Sequence, residues 1–273
     1  MPAVDFDFAL IAAPFRMQPG LRRLDGDARH LTPLPAGSAL HAEKLQVVRA
    51  GCSRLAVPGF DAGPALAAIA QQAQREGIAL PPDVPFELAI EEDFAVLDGA
   101  TGTLPWLSVC VPSHWVPEDK LGLELQAVHA PVADSATLQA ASRHLVQLAT
   151  SGEHWERHVW TISPSRRHDQ HPGRHAREPW PGTTDPGLFA AGCYLRAERQ
   201  TFFPVGQGTR EAVFTIRVML QPLALAVDSV DKAAQLHASL ASMSDAVLQY
   251  KGLAAARAPL LRWLERRGAT PAQ

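Results

Sequence analysis

Long apolar runs are missing from this sequence of 273 residues. No stretch approaches the run of about 18 apolar residues that a membrane-spanning helix needs. The first segment (MPAVDFDFALIAAPF) has no basic residue before its short apolar run, and Pro14 and Arg16 interrupt that run. The sequence therefore predicts neither a membrane span nor a secretory signal peptide, and we expect a cytoplasmic protein.

Cysteine is scarce as well. Cys52, Cys110 and Cys193 are the only three, and no two of them form a CxxC pair. An odd number of widely spaced cysteines is not typical of a disulfide framework, a thiolate zinc site or an iron–sulfur cluster. This scarcity favours a reducing compartment.

Charge of one sign and nucleotide-binding motifs are also lacking. The net charge is -3, so nothing in it favours a nucleic acid or a membrane surface as partner. The sequence contains no glycine-rich turn of the dinucleotide or P-loop type and no GxSxG motif. Hydrophobic residues make up 47%, which is enough for a sizeable core.

Strand-like patterns dominate the middle of the chain. Five segments predict strands: 87–97, 104–111, 158–162, 194–203 and 212–220. Helical patterns cover 62–76, 117–129, 135–150, 229–250 and 253–267, whereas 14–58 is expected to be irregular. The later strands follow one another without helices, which favours antiparallel pairing. We therefore predict an α+β fold with a five-stranded antiparallel sheet, flanking helices and extra N- and C-terminal helices.

The expected domain organisation is simple. We predict one domain over residues 1–273, with its core at about 86–220 and a C-terminal helical extension at 228–268. No internal repeat divides the chain.

Residues 163–187 are polar and rich in proline and glycine, which predicts a long loop. Within it, His168, His171 and His175 have a spacing that would let three imidazoles share a metal ion. Four neighbouring arginines would repel that ion, however, and Pro172 prevents a helix that would align the rings. We therefore expect a solvated loop and no metal site at these histidines. Because the loop directly follows a strand, we also expect that it serves as a lid that covers the binding site.

The segment 112–132 is the expected centre of function. A helix over 117–129 would place His129 on one apolar face with Leu121 and Leu125, eight and four positions earlier. A neutral histidine ring on such a face is what a haem iron takes as its ligand. The same position also suits a buried histidine that bonds to the backbone, and both alternatives stay open at this point.

Two arginines in the last two predicted strands need anionic partners. Alternation puts Arg199 on the same face as Leu195 and Ala197, and a buried guanidinium requires a carboxylate nearby. That carboxylate belongs either to this chain or to a cofactor propionate. Arg217 in the next strand poses the same question, with a solvent-facing position as the alternative.

Six segments, in chain order, carry a family resemblance. They are PFRM (14–17), EEDFAVL (91–97), VCVPSHWVPEDKLGLELQAVHAPV (109–132), RHVW (157–160), LRAERQTF (195–202) and FTIR (214–217). Over roughly 14–220 the chain resembles the haem-dependent oxidative N-demethylase α-subunit-like family.

The resemblance implies a PAS-like fold that binds haem b and uses O2 to hydroxylate an N-methyl carbon of a small secondary amine, with release of formaldehyde. It also implies partner subunits. Electrons would come from NADPH through a flavin and iron–sulfur reductase subunit, and a folate-binding subunit would take up the formaldehyde. No nucleic-acid or membrane partner is expected.

Site residues follow from the resemblance position by position. His129 matches a His-x-Pro-Val motif and is the expected iron ligand. Arg199 and Arg217 match the arginines of ERQT and FTIR and are candidates for pairing with the propionates. Glu198 matches the acid of ERQT and would hold a cationic amine or relay a proton. Alternation nevertheless puts Glu198 and Arg199 on opposite faces of their strand.

Aromatic residues and one departure complete the candidate site. Trp115 and Trp160 flank these segments, and their flat rings suit either a flat cofactor or core packing. The resemblance leads us to expect Arg-x-Asn-Trp where the chain has RHVW, so the asparagine is missing. His158, beside that position, is a second catalytic candidate, and the substrate stays open.

Two alternative functions remain at this point. PAS-like domains also serve as haem-binding sensors or regulatory subunits, and a scaffold that has lost its cofactor is a third possibility. A sensor normally has an output domain, for which only the C-terminal helices are available here.

Overall fold

The structure is a computed structural model that describes residues 6–18, 20–25, 28–130, 133, 136–206 and 208–269. The side chains of His129 and of residues 136–140 lie outside this description. Among the described residues, no helix has both the length and the apolar character needed to cross a bilayer.

Seven strands form one sheet in the described part of the chain. They are β1 (Arg22–Arg23), β2 (Arg54–Ala56), β3 (Asp93–Asp98), β4 (Trp106–Ser108), β5 (Trp155–Ser163), β6 (Tyr194–Pro204) and β7 (Glu211–Pro222). Their order is β1-β5-β6-β7-β3-β4-β2, and every neighbouring pair is antiparallel. The predicted α+β class with an antiparallel sheet is confirmed. The predicted number of five strands is wrong, because β1 and β2 at the two edges are too short to show alternation.

Helices cover the sheet and both of its ends. They are α1 (Ala39–Arg49), α2 (Gly63–Arg75), α3 (Leu125–His129), α4 (Ala136–Ala149), α5 (Pro186–Ala191), α6 (Leu223–Ala226), α7 (Val230–Ala241), α8 (Asp245–Tyr250) and α9 (Arg257–Gly268). The single helix predicted over 229–250 is two helices, α7 and α8. The reason is Ser244, whose side chain accepts a hydrogen bond from the Val247 amide and caps a new N-terminus.

Helix α1 contradicts the prediction that residues 14–58 are irregular. Ser38 caps it by accepting a hydrogen bond from the His41 amide. Lys44 in this helix is completely buried, and its Nζ lies 3.0 Å from Asp93 Oδ1 and 2.8 Å from the Glu92 carbonyl oxygen. A buried ammonium needs such partners, so this pair fixes α1 against the start of β3.

The helix predicted over 117–129 is wrong in its first half. Gly122 has a φ of 74°, a left-handed conformation that ends the turns before it. Its amide donates to the Leu104 carbonyl, and the Leu104 amide donates to the Leu123 carbonyl. The backbone therefore pairs with the chain before β4, and only α3 is helical.

The two faces of the sheet are covered differently. Trp160, Ile162, Leu195 and Ala197 on one face pack in a core cluster with residues of α5 to α9. The other face carries apolar residues of β3, β4, β6 and β7 under α3 and α4. The candidate site lies on this second face.

Candidate functional site

A cavity of about 660 Å³ lies over the second face of the sheet. This volume is in the range of small-molecule and cofactor sites. Because side chains alternate along a strand, its floor takes every other residue of β5, β6 and β7. These floor residues are Arg157, Val159, Thr161, Arg196, Glu198, Gln200, Phe202, Phe214 and Ile216.

One side of the cavity is apolar. The Phe202 and Phe214 rings stack there with centroids 4.6 Å apart and planes at 5°. Other apolar residues of the same core cluster line the cavity around them, namely Ala95, Leu104, Leu107, Val109, Leu125, Val128 and Ala149. This side suits the apolar body of a flat ligand.

The polar side is organised around Glu198. Its Oε1 accepts a short hydrogen bond from the Ser113 hydroxyl, and its Oε2 accepts one from Gln200 Nε2 at 2.8 Å. Arg196 Nε also approaches the Ser113 hydroxyl, at 2.9 Å. The Glu198 carboxylate is therefore held in one orientation at the cavity wall.

Arg196 joins this side of the cavity to the segment 164–185. It is 2% exposed, and it donates to the carbonyl oxygens of Val111, Arg167 and His168 at 3.4, 3.1 and 2.8 Å. One buried guanidinium thus connects two separate parts of the backbone, the chain after β4 and the loop after β5.

The prediction of a solvated loop is wrong for the central part of that segment. Asp169, Gln170 and His171 are buried, because the loop packs against the chain that follows β4. The Gln170 amide donates to the Pro112 carbonyl, and Arg174 donates to Cys110 O at 2.9 Å. These contacts hold the loop against the cavity wall.

The three histidines of this loop face separate carboxylates. His168 Nδ1 lies 3.4 Å from Glu43, His171 Nε2 lies 3.7 Å from Glu118, and His175 Nε2 lies 3.1 Å from Asp169. Among the residues that the structure describes, no group of three or more His, Cys, Asp or Glu side chains is arranged to hold a metal ion.

Three of the predicted site residues line the cavity: Glu198, Trp115 and Trp160. For His129 the structure shows only the backbone, as the last residue of α3, four positions after the cavity residue Leu125. Its side chain lies outside the described residues, so its role as iron ligand stays a prediction.

Arg199, Arg217 and His158 lie on the opposite face. In the register of the sheet, Arg199 lies between His158 of β5 and Arg217 of β7. Each of the three is next in sequence to a residue of the cavity floor, so its side chain points to the other face. Arg199 Nε donates to Glu156 Oε2 and Arg217 Nε donates to Glu91 Oε2, both at 2.8 Å. Of the two alternatives for Arg199, the structure shows the internal salt bridge.

His114 is a cavity residue that the sequence did not single out. Its φ of 61° is unusual for any residue other than glycine, and such strain is concentrated at functional sites. Burial, together with Arg177 and Arg196, lowers the pKa of His114 to about 4. The ring is therefore neutral at neutral pH. Its position in the PSHW motif was the available signal.

Positive charge is in surplus around the cavity. Its described lining contains five basic side chains, Lys120, Arg157, Arg177, Arg196 and Lys251, against the two carboxylates Asp119 and Glu198. The chain as a whole has a net charge of -3, so this surplus is local. Such a cavity suits a ligand with an apolar body and anionic groups.

The comparison with protein families agrees with these features. A family model described as "Haem-dependent oxidative N-demethylase, alpha subunit-like" matches residues 83–261. The match covers more than half of the chain and every strand from β3 to β7. It also extends past residue 220, where the resemblance in the sequence ended, into α9. The chain therefore belongs to the haem-dependent oxidative N-demethylase α-subunit-like family.

Proposed function

We propose that this chain is the haem-b-binding catalytic subunit of an oxidative N-demethylase that acts on a small secondary amine. The observation that carries the proposal is the cavity, which combines an apolar side with a surplus of positive charge in a member of a haem-dependent family. Electrons would come from a separate reductase subunit, which the α-subunit-like description of the family supports.

The residues present fit a haem group. The macrocycle would pack on the Phe202 and Phe214 side of the cavity, beside Trp115. The basic residues of the lining would hold the two propionates. His129 would supply the iron ligand, and the neutral ring of His114 is part of the cavity lining. We assign the propionates to the cavity cations, since Glu156 and Glu91 already pair with Arg199 and Arg217.

When bound, the haem would supply the redox chemistry that activates O2 for hydroxylation of the N-methyl carbon, with electrons from the reductase subunit. This chain's own residues would orient the amine. The Glu198 carboxylate, fixed by Ser113 and Gln200, would hold the amine nitrogen as a cation or accept its proton. The resulting carbinolamine then collapses to formaldehyde and a primary amine.

The proposal extends to the fold. The five inner strands are numbered one to five in chain order, from β3 to β7. Across the sheet they lie in the order β4, β3, β7, β6, β5, which is two, one, five, four, three. Helices α3 and α4 are inserted between the second and third of them. We propose that this unit is the PAS-like core, and that residues 1–273 form one haem-binding domain. The core cluster shared by β5, β6 and the C-terminal helices supports a single unit.

We expect the haem-loaded protein to show a Soret band that His129→Ala abolishes or shifts. His114→Ala is the comparison, because it removes the other histidine at the cavity while leaving α3 intact. With reductant, O2 and dimethylamine, the wild-type protein should release formaldehyde. An unchanged spectrum in His129→Ala would remove His129 as iron ligand. Haem binding without formaldehyde from several N-methyl amines would favour the haem-sensor alternative.

Lys251 should make haem affinity depend on pH. Its Nζ donates to the Trp160 carbonyl and lies over the Phe15 and Trp160 rings. Burial lowers the pKa of Lys251 to about 8, with Glu198 opposing this shift and Arg157 adding to it. Below pH 8 the ammonium is charged and attracts propionates. Above pH 8 this attraction is lost, since the neutral amine dominates.

We therefore expect haem affinity to fall on the order of tenfold between pH 7 and 9.5, the effect of about 1.4 kcal/mol. Lys251→Met should remove most of this pH dependence. Absorbance titrations across the pH range would measure it. The neighbouring Tyr250 does not mimic the effect, because burial raises its pKa. Equal pH profiles for the wild type and Lys251→Met would contradict the assignment.

A further inference from the structure

Arg157 differs from the other arginines that strand alternation places near the site. It lies on the cavity floor in β5, and its Nε is buried without a hydrogen-bond partner. Among the described residues, no carboxylate oxygen comes within ion-pair distance of its guanidinium. By contrast, Arg199 and Arg217 pair with carboxylates, and Arg196 donates to backbone carbonyl oxygens.

A buried guanidinium without a counter-ion is costly, and it persists where a ligand supplies that counter-ion. Glu198 is the main negative charge that acts on Arg157, but neither oxygen of its carboxylate lies within ion-pair distance of the Arg157 guanidinium. Lys251 and Tyr250 also line the cavity, and the charges of Glu198 and Arg157 act on both of them. The three side chains thus provide two cations and one hydroxyl, that of the half-exposed Tyr250, to the cavity lining.

We infer that Arg157, Lys251 and Tyr250 form a binding site for a carboxylate group. The planar guanidinium offers two parallel N–H donors to the two oxygens of a carboxylate, and the ammonium adds a second charge. Two sources carry this chemistry, a propionate of haem and the carboxylate of an N-methyl amino acid used as substrate. The identity of these two ligands rests on the proposed function. The carboxylate site itself does not, since it is defined by the three side chains.

The first experiment compares the wild type, Arg157→Gln, Arg157→Lys and a control, Arg23→Gln, whose side chain is 65% exposed and paired with Glu153. Each protein is titrated with haem and with haem dimethyl ester, and the Soret absorbance is followed. If the site holds a propionate, Arg157→Gln should weaken haem binding at least tenfold and leave the ester unaffected. Arg157→Lys should recover part of the affinity. Circular dichroism confirms that each variant is folded.

The second experiment tests the substrate source by calorimetry with N-methylglycine and dimethylamine. If the site holds a substrate carboxylate, the wild type should bind N-methylglycine more tightly than dimethylamine, and Arg157→Gln should lose this preference while its haem affinity is unchanged. The inference is overturned if Arg157→Gln changes neither haem affinity nor the preference by more than about twofold. A failure of the proposed function gives a different result, because the wild type would then bind no haem. In that case the calorimetric comparison alone would test the carboxylate site.

Discussion

Replacing Glu198 with glutamine should lower the rate of N-demethylation by about 10²-fold or more while leaving haem bound. General acid–base or ionic contacts to a reacting group contribute about 10²–10⁴-fold to a rate. Glutamine keeps the size, and its one amide oxygen can still accept from Ser113, while its NH2 group can donate to Gln200 once the Gln200 amide turns its oxygen toward it. It has no charge for an ammonium and cannot take a proton, so the substitution tests the charge with little change of shape.

Formaldehyde release under saturating O2 and reductant measures the rate, and the Soret band measures the amount of bound haem. Glu153→Gln is a matched control, because it removes a carboxylate that is about half exposed and lies outside the cavity lining. A rise in KM alone would assign Glu198 to amine binding, whereas a fall in kcat would assign it to proton transfer. A rate within twofold of the wild type would exclude both roles.

Replacing Arg196 with leucine should lower the free energy of unfolding by about 3–5 kcal/mol, because one side chain donates to three carbonyl oxygens and all three lose this donor. The carbonyl oxygens of Val111, Arg167 and His168 would lose their shared donor. Leucine cannot satisfy them, and each buried acceptor without a partner costs about 1–3 kcal/mol.

Urea unfolding measures this loss, and Arg23→Leu is the control on an exposed arginine. We also expect faster proteolysis within 164–185, because Arg196 fixes that segment through two carbonyl oxygens. A loss below about 1 kcal/mol together with an unchanged cleavage rate would show that the loop is held by other contacts, such as that of Arg174 with Cys110.

The pattern of residues predicted a good part of the fold. The five inner strands follow from runs of β-branched and aromatic residues. Their predicted antiparallel pairing is confirmed, but the expectation that no helix lies between the later strands is wrong, because Asp185 caps α5 between β5 and β6. The failures have local causes. Helix α1 has a weak apolar pattern and a buried lysine, which hid it although its sequence is rich in helix-forming residues and follows the capping residue Ser38. The first half of the helix predicted over 117–129 fails because Gly122 adopts a positive φ and its neighbours pair with residues before β4.

The candidate site was predicted less completely. Alternation correctly separated Glu198 from Arg199, and the structure places them on opposite faces of β6. It could not show which face carries the cavity. That depends on α3 and α4 covering one face and α5 to α9 covering the other, and these contacts join residues that are far apart in the chain. Arg157, Arg196 and Lys251 were missed for this reason.

The sequence by itself determined the family and the strand faces, because motifs and a period of two residues are local properties. Only the tertiary structure decided that Arg157, Arg196 and Lys251 are among the cations of the cavity, that Ser113 holds Glu198, and that the centre of the loop 164–185 is packed. The physical reason is that burial and charge pairing depend on which elements cover a surface. A guanidinium is structural where the fold supplies its partners, as Glu156 does for Arg199, whereas Arg157 Nε has none among the described residues, and we propose that a ligand supplies one there.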